Sequence, residues 1–334
     1  MKVSTRWLAG TGAVVMAAGA LLMAQGGDAA SVMADVRKAL GGERKLAAIT
    51  ALSATGRSER AMGETSMGGD YELMLELPDK YFAKQVVAQT PMGAISVKAG
   101  FNGDALIQDT EQPPQTGGMR IMISAGGPGA GPNATPEQKT ADQRRQLINS
   151  RQEFARMSLG MFGASVAGYP LAYAYGGEAE SPDGKADVID VKGPDDFAGT
   201  LFVDQKSHLP LMFSWMAKEP LRLTSTVPGG GGAAAGGGRV QTFTMAGGGA
   251  GGKAMTPEER DKMMADLKAR MAEAEAGRKI VEYRMFYGDY RTVDGVQLPH
   301  LFQQAIAGKP STEVTIEKYR INPKIDPKQF ETVK

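Results

Sequence analysis

The 334-residue sequence predicts an α+β protein that is mainly antiparallel β. Three observations predict it. From Lys279 to Asn322, apolar and polar residues alternate in three runs, separated by Asp294-Gly295 and by Gly308-Lys309-Pro310. Alternation broken by such turns is the pattern of an antiparallel meander with one apolar face and one wet face. Shorter alternating runs with turn residues between them recur upstream, as in an antiparallel barrel or sandwich. Helical patterns are few, and two open alike, with Thr135-Pro136-Glu137-Gln138 and Thr256-Pro257-Glu258-Glu259. In each, threonine caps, proline suits the first helical position and an acidic or amide residue follows.

Composition bounds the function. The net charge of +1 gives no electrostatic footprint for nucleic acid or an anionic membrane surface. Lys2 and Arg6 precede an apolar run from Leu8 to Ala24, and small residues follow at Gly27 and Ala29. This is the pattern of a signal peptide over residues 1–29, with cleavage after Ala29 or after Ala24. A membrane anchor fits less well, because glycines interrupt the run and small residues end it. The chain has no cysteine, so it has neither disulfides nor the attachment point for a lipid anchor. The expectation is a soluble periplasmic protein. Residues 30–334 read as a single domain, with Gly-rich insertions near 113–133 and 227–253. Glycine runs bury too little apolar surface to offset their ordering entropy, so those of the second insertion read as flexible loops.

In chain order, Ser31 is the expected N-cap of a helix from Val32 to about Leu40, with Val32, Val36, Ala39 and Leu40 as its stripe. Gly41-Gly42 stops it, and a short helix, Glu43 to Ala48, leads into a strand from Thr50 to Arg60. Tyr71, Leu73, Leu75 and Leu77 alternate with acidic residues. Tyr81 to Gln89 is the next strand, and Thr90 to Gly93 a hairpin loop. Ile95, Val97, Ala99 and Phe101 follow, then a turn at Asn102-Gly103 and a return over Asp104 to Asp109. Met119 to Ile123 is an apolar island in the first insertion. The Thr135 helix is expected to reach about Met157, burying Leu147, Ile148, Arg151, Phe154 and Ala155. Strands resume at Ala186 to Val191, Thr200 to Asp204 and Leu209 to Met216, where Leu211, Phe213 and Trp215 are expected to share a face. Val240 to Met245 is a short alternating piece in the second insertion. The Thr256 helix carries Met263, Met264, Leu267 and Met271 and ends at Gly277.

No constellation of catalytic residues stands out, and no catalytic residue, metal site or cofactor is expected. His208 and His300 each neighbour a Leu-Pro pair at a strand start and read as turn or strand-edge residues. A hydrolase would need such a histidine opposite an activated nucleophile. The methionines lack accompanying Cys or His, so an adaptable apolar lining is preferred to a copper site. Gly251-Gly252-Lys253-Ala254 places alanine where a phosphate loop needs a hydroxyl residue. Glu282, Asp289 and Asp294 read as charged strand positions facing water.

Several stretches resemble the periplasmic lipoprotein-carrier superfamily, which includes the outer-membrane lipoprotein-sorting proteins. They are Val32 to Gly56; Gly100-Phe101-Asn102-Gly103-Asp104; Leu201-Phe202-Val203-Asp204 with Leu209-Pro210; Tyr287 to Pro299; and Ile321-Asn322-Pro323 with Asp326 and Phe330. The resemblance implies an incompletely closed β-barrel, a half-barrel, with helices covering the concave face and an apolar cavity for acyl chains. The long Gly-rich insertions depart from the pattern. On this basis the expected function is a binding and carrier protein for a hydrophobic ligand or lipidated protein, with transient contact at a membrane or membrane protein. An envelope-associated interaction protein with a filled core is the alternative, and a hydrolase a more distant one. Strand alternation picks out the expected lining: Leu73, Leu75, Ile95, Val97, Leu201, Val203, Phe213, Trp215, Tyr283, Met285, Val314 and Ile316. The Thr135 and Thr256 helices are expected to cover it.

Overall fold

The structure, a computed structural model, describes residues 28–62, 65–90, 93–113, 121–125, 135–164, 168–182, 184–220, 240–244 and 256–331. The chain begins with helices α1 (Ala29–Ala39) and α2 (Glu43–Ala47). Strands β1 (Ala51–Met62), β2 (Thr65–Glu76), β3 (Lys80–Thr90), β4 (Gly93–Asn102), β5 (Ala105–Glu111) and β6 (Ile121–Ala125) follow. After helix α3 (Pro136–Phe162) come β7 (Ala172–Ser181), β8 (Gly184–Lys192), β9 (Ala198–Asp204), β10 (Pro210–Lys218) and β11 (Val240–Thr244). Helix α4 (Pro257–Ala276) leads to β12 (Ile280–Val293), β13 (Val296–Ile306) and β14 (Lys309–Ile321), and a 3₁₀ turn, Pro327–Phe330, lies near the C-terminus.

One 12-stranded antiparallel sheet holds the molecule together, in the order β5-β4-β3-β2-β1-β14-β13-β12-β10-β9-β8-β7. It is two meanders, β1 to β5 and β7 to β14 without β11, joined where the first long strand pairs with the last. Leu52 lies opposite Ile321 and Ser58 opposite Val314 along that seam. Asn322 fastens it. Its Oδ1 accepts from the Thr50 and Ala51 N–H groups at 2.8 and 3.1 Å, and its Nδ2 donates to the Ala48 carbonyl at 2.8 Å. Strands β5 and β7 end the sheet without pairing to each other, so the barrel is not closed.

Twelve flat strands would span roughly 50 Å at their usual spacing. Yet Arg151 and Gln152, neighbours on α3, donate to the Gly103 carbonyl in the β4–β5 turn and to the Asp195 carbonyl in the β8–β9 turn, near the two ends of that width. The sheet must curl around the helix, as wide twisted sheets do. The result is an incompletely closed barrel with helices against its concave face.

The Lys279–Asn322 meander forms as the sequence indicates. Val293 pairs with Val296, leaving Asp294 and Gly295 at φ 51° and 80°, the two positive values a tight hairpin needs. Other turns are displaced by a residue. Asn102 pairs with Ala105, so Gly103-Asp104 form that loop, and Ile306 pairs with Lys309, so Ala307-Gly308 form the other. Helix α1 starts earlier than expected, because Asp28 rather than Ser31 caps it, with the Asp28 carboxylate accepting from the Ala30 N–H at 3.2 Å. Met33, Val36 and Leu40 form its buried side. The Thr135 capping box is present in full, with Thr135 accepting from the Gln138 N–H and Gln138 from the Thr135 N–H.

Helix α3 runs past Met157 to Phe162, where Gly163 ends it at φ 58°. Its last turns, from Met157 to Phe162, are buried all round. Strand β7 was not expected from its Ala- and Gly-rich sequence. The island in the first insertion and the alternating piece in the second pair with each other as a two-stranded sheet, β6 with β11. The second lies within the segment whose glycine runs read as flexible loops. A second apolar cluster sits on the outer face, where Phe330 meets Phe82 edge-on with ring centroids 5.5 Å apart, alongside Ile107. Lys98 and Asn102 donate to the Gln329 and Phe330 carbonyls and strap this segment down.

Candidate functional site

The concave face is where alternation places the expected lining, and the structure brings most of that lining together. Leu73, Leu75, Leu201, Val203, Phe213, Trp215 and Ile316 are buried in one apolar cluster, and Tyr283, Met285 and Val314 are half-buried against it. Ile95 and Val97 are buried too, but lie outside both clusters that the described residues form. The facing side chains are Met33, Val36 and Leu40 from α1 and Phe154, Met157, Leu159, Met161 and Phe162 from α3. Much of the concave face is therefore packed against the protein's own helices. Near the β1–β2 turn, a recess lined by Ser58, Arg60, Met67, Gln85 and Thr312 measures about 10 Å³, about the space of one water molecule.

Helices cover this face, as expected. Helix α3 supplies one part of the cover, and α1 packs beside it in the core. The described side chains of α4 from Glu258 to Glu273 are exposed. Met263, Met264, Leu267 and Met271 lie outside the described side chains. The base of α4 is held by Arg278, which donates to the Glu219 carbonyl at 2.6 Å and pairs with Glu275, itself paired with Lys218.

Specific polar contacts seat α3. Tyr287 donates to the Arg156 carbonyl at 2.6 Å, and the single proton of the Tyr290 hydroxyl is shared between the Gly160 and Pro210 carbonyls at 3.0 and 3.1 Å. Residues three apart on a regular strand point to opposite faces. Here Asp289 between them adopts φ 50°, and both hydroxyls reach the helix. The close approach depends on Gly160, where a Cβ would come within 2.4 Å of the Tyr287 ring. One turn earlier, Arg151 donates to the Gly103 carbonyl at 3.0 Å and pairs with Asp104, while Gln152 donates to the Asp195 carbonyl at 2.8 Å. Neighbouring helical residues thus tie the β4–β5 turn to the β8–β9 turn, near the two ends of the open sheet.

An aromatic row runs beneath the helix. Phe197, Phe213, Trp215 and Tyr283 stack in succession with centroids 5.3 to 5.9 Å apart. The Arg156 guanidinium lies 4.2 Å from the Trp215 centroid, a cation–π distance. Burial raises the phenol pKa of Tyr71, Tyr287, Tyr290 and Tyr319, so each stays protonated well into alkali. Strand alternation could identify Tyr287 as facing inward; the roles of Arg156, Gly160 and Tyr290 had no sequence signal.

Two expectations need correction. Leu211 does not share a face with Phe213 and Trp215, because the β9–β10 register shifts between Pro210 and Met212 and leaves Leu211 exposed. His300 is no edge residue; it is buried in β13, with Nδ1 2.7 Å from the Ile316 carbonyl oxygen. His208 does sit in a turn, at φ 57°. Glu282 pairs with Arg284 and Asp289 with Arg291. Among the described residues, no three His, Asp or Glu side chains gather as metal ligands, and no helix is long and apolar enough to cross a membrane.

Fold and face define an open antiparallel half-barrel seated on a helix. No family model and no curated protein matches the chain. Several solved structures are similar in arrangement. A LolA superfamily protein from Nitrosomonas europaea has 8% identity and a TM-score of 0.43, over 92% of this chain and 98% of that one. A DUF1329 family protein from Desulfovibrio piger has 8% identity and a TM-score of 0.43, over 91% and 98%. A Vibrio parahaemolyticus domain assigned to outer membrane lipoprotein sorting has 10% identity and a TM-score of 0.39, over 89% and 94%.

Proposed function

We propose that the protein is an exported, non-enzymatic periplasmic carrier that shields a hydrophobic ligand, an acyl chain or the lipid part of a lipidated protein, against its concave face. The supporting observation is an unclosed sheet with a broad apolar inner face, covered in part by a helix held through side-chain contacts. Such a cover separates from the sheet without breaking strand pairing. Because side chains of α1 and α3 already fill much of the space, uptake requires α3 to shift. Tyr283, Met285 and Val314 are the lining residues least covered, and a ligand meets them first.

A second reading is an envelope-associated interaction protein whose interior stays filled. The full burial of Leu75, Leu201, Val203 and Phe213 favours it. Titration with a fluorescent fatty acid separates the two. The carrier reading expects saturable uptake, abolished by Val97→Arg in a variant that still unfolds cooperatively. A folded wild-type protein that takes up no acyl probe ends that reading and leaves the second. Native mass spectrometry of protein from the periplasm, followed by lipid extraction, identifies the ligand class.

A further inference from the structure

The sequence alone offers two cleavage points for the leader, after Ala24 or after Ala29, and the start of α1 discriminates between them. Asp28 is the N-cap. Its carboxylate accepts from the Ala30 N–H at 3.2 Å, and its carbonyl accepts the first helical hydrogen bond, from the Val32 N–H at 3.1 Å. The Ala29 methyl is buried in the main apolar cluster with Met33, Val36 and Leu40. Val36 and Leu40 pack at the end of α3, where a Cβ on Gly163 would lie 2.6 Å from Val36 Cγ1 and 3.2 Å from Leu40 Cδ1. The start of α1 thus belongs to the folded core.

Cleavage after Ala29 removes the capping carboxylate, its carbonyl and the buried methyl together. It also leaves the ammonium of Ala30 at the positive end of the helix dipole, where a cation is unfavourable. Small residues also flank bonds upstream. Ala24 borders one, and Ala24-Gln25-Gly26 places small residues one and three positions before the bond that follows Gly26. We infer that the leader is cleaved upstream of Asp28, at Ala24–Gln25 or Gly26–Gly27, so that the mature chain keeps its own N-cap. The step is hydrolysis by a leader peptidase: the peptide C–N bond breaks, the hydroxyl of water goes to the acyl carbon to make the leader's new carboxyl group, and its proton goes to the nitrogen that becomes the amine of the mature chain. The inference rests on the export reading above.

The test is intact mass and N-terminal sequencing of the full-length gene product from a periplasmic fraction. A first residue of Gln25 or Gly27 is expected. A first residue of Ala30 overturns this inference and leaves export standing; an intact Met1 overturns export and the inference with it. As a second measurement, chains beginning at Gln25 and at Ala30 are compared in thermal unfolding. The shorter chain is expected to melt lower by about 2 °C or more. Equal melting temperatures remove the physical basis of the inference.

Discussion

Asn322 makes more of the seam than any neighbouring side chain. It sits at φ 51°, a conformation asparagine tolerates better than most residues, and it bonds Ala48, Thr50 and Ala51 from there. Asn322→Ala loses those bonds and strains the backbone. The expected loss is about 1–2 kcal/mol, read as a lower urea midpoint with an unchanged slope. The buried tyrosines set a second expectation at this scale. Burial, with the nearby Asp195 carboxylate, pushes the Tyr169 phenol up to about 12. Burial raises Tyr71, Tyr287, Tyr290 and Tyr319 further. A folded pKa above the unfolded value, about 10 for tyrosine, means that the neutral form is favoured in the fold. That contribution is complete below pH ~10 and is lost as pH rises through the folded values. Phenolate absorbance should therefore lag in the folded protein relative to the urea-unfolded chain, then rise abruptly with alkaline unfolding. Superimposable titration curves would count against this burial.

The elements differ in how legible they were. Alternation of Tyr283, Met285 and Tyr287, and the Asp294-Gly295 turn, are local signals, and β12 to β14 follow from them. Leu211 was misassigned because a one-residue register shift flips the faces of a strand and leaves no mark in its composition. Strand β7 is hard to read because the alternation of Leu171, Tyr173 and Tyr175 is short, and Gly176-Gly177 and a register shift after Tyr175 break it. Alternation found the concave face, yet it could not tell whether helices fill the space opposite. That depends on how closely α3 approaches, and Gly160, Tyr287 and Tyr290 meet there from distant parts of the chain. The C-terminal strap was equally hidden, being a single 3₁₀ turn. Deleting residues 323–334 should uncover Phe82 and Ile107. Loss of a buried phenylalanine contact costs about 3–5 kcal/mol, so the expected result is a lower melting temperature with increased binding of a hydrophobic dye. Unchanged dye binding would show the outer face to be covered without it.

For the whole molecule, the seam between β1 and β14 joins the beginning of the sheet to its end. Most other pairings in the large sheet join strands close in sequence and can form locally. This one closes nearly the full length of the chain, and such distant contacts form slowly because the loop must close before they repay its entropy. A polypeptide delivered N-terminus first has β1 to β5 in place long before β14 emerges. In that interval β1 presents an unpaired edge, and edges of that kind recruit other strands. A fragment ending before Lys309 should therefore remain protease-sensitive and aggregate. Supplying the Lys309–Lys334 peptide in trans should reduce both effects; no change on its addition would show that the first meander does not depend on its late partner. Nascent chains are thus the form most in need of a chaperone, and the speed of translation becomes a determinant of yield.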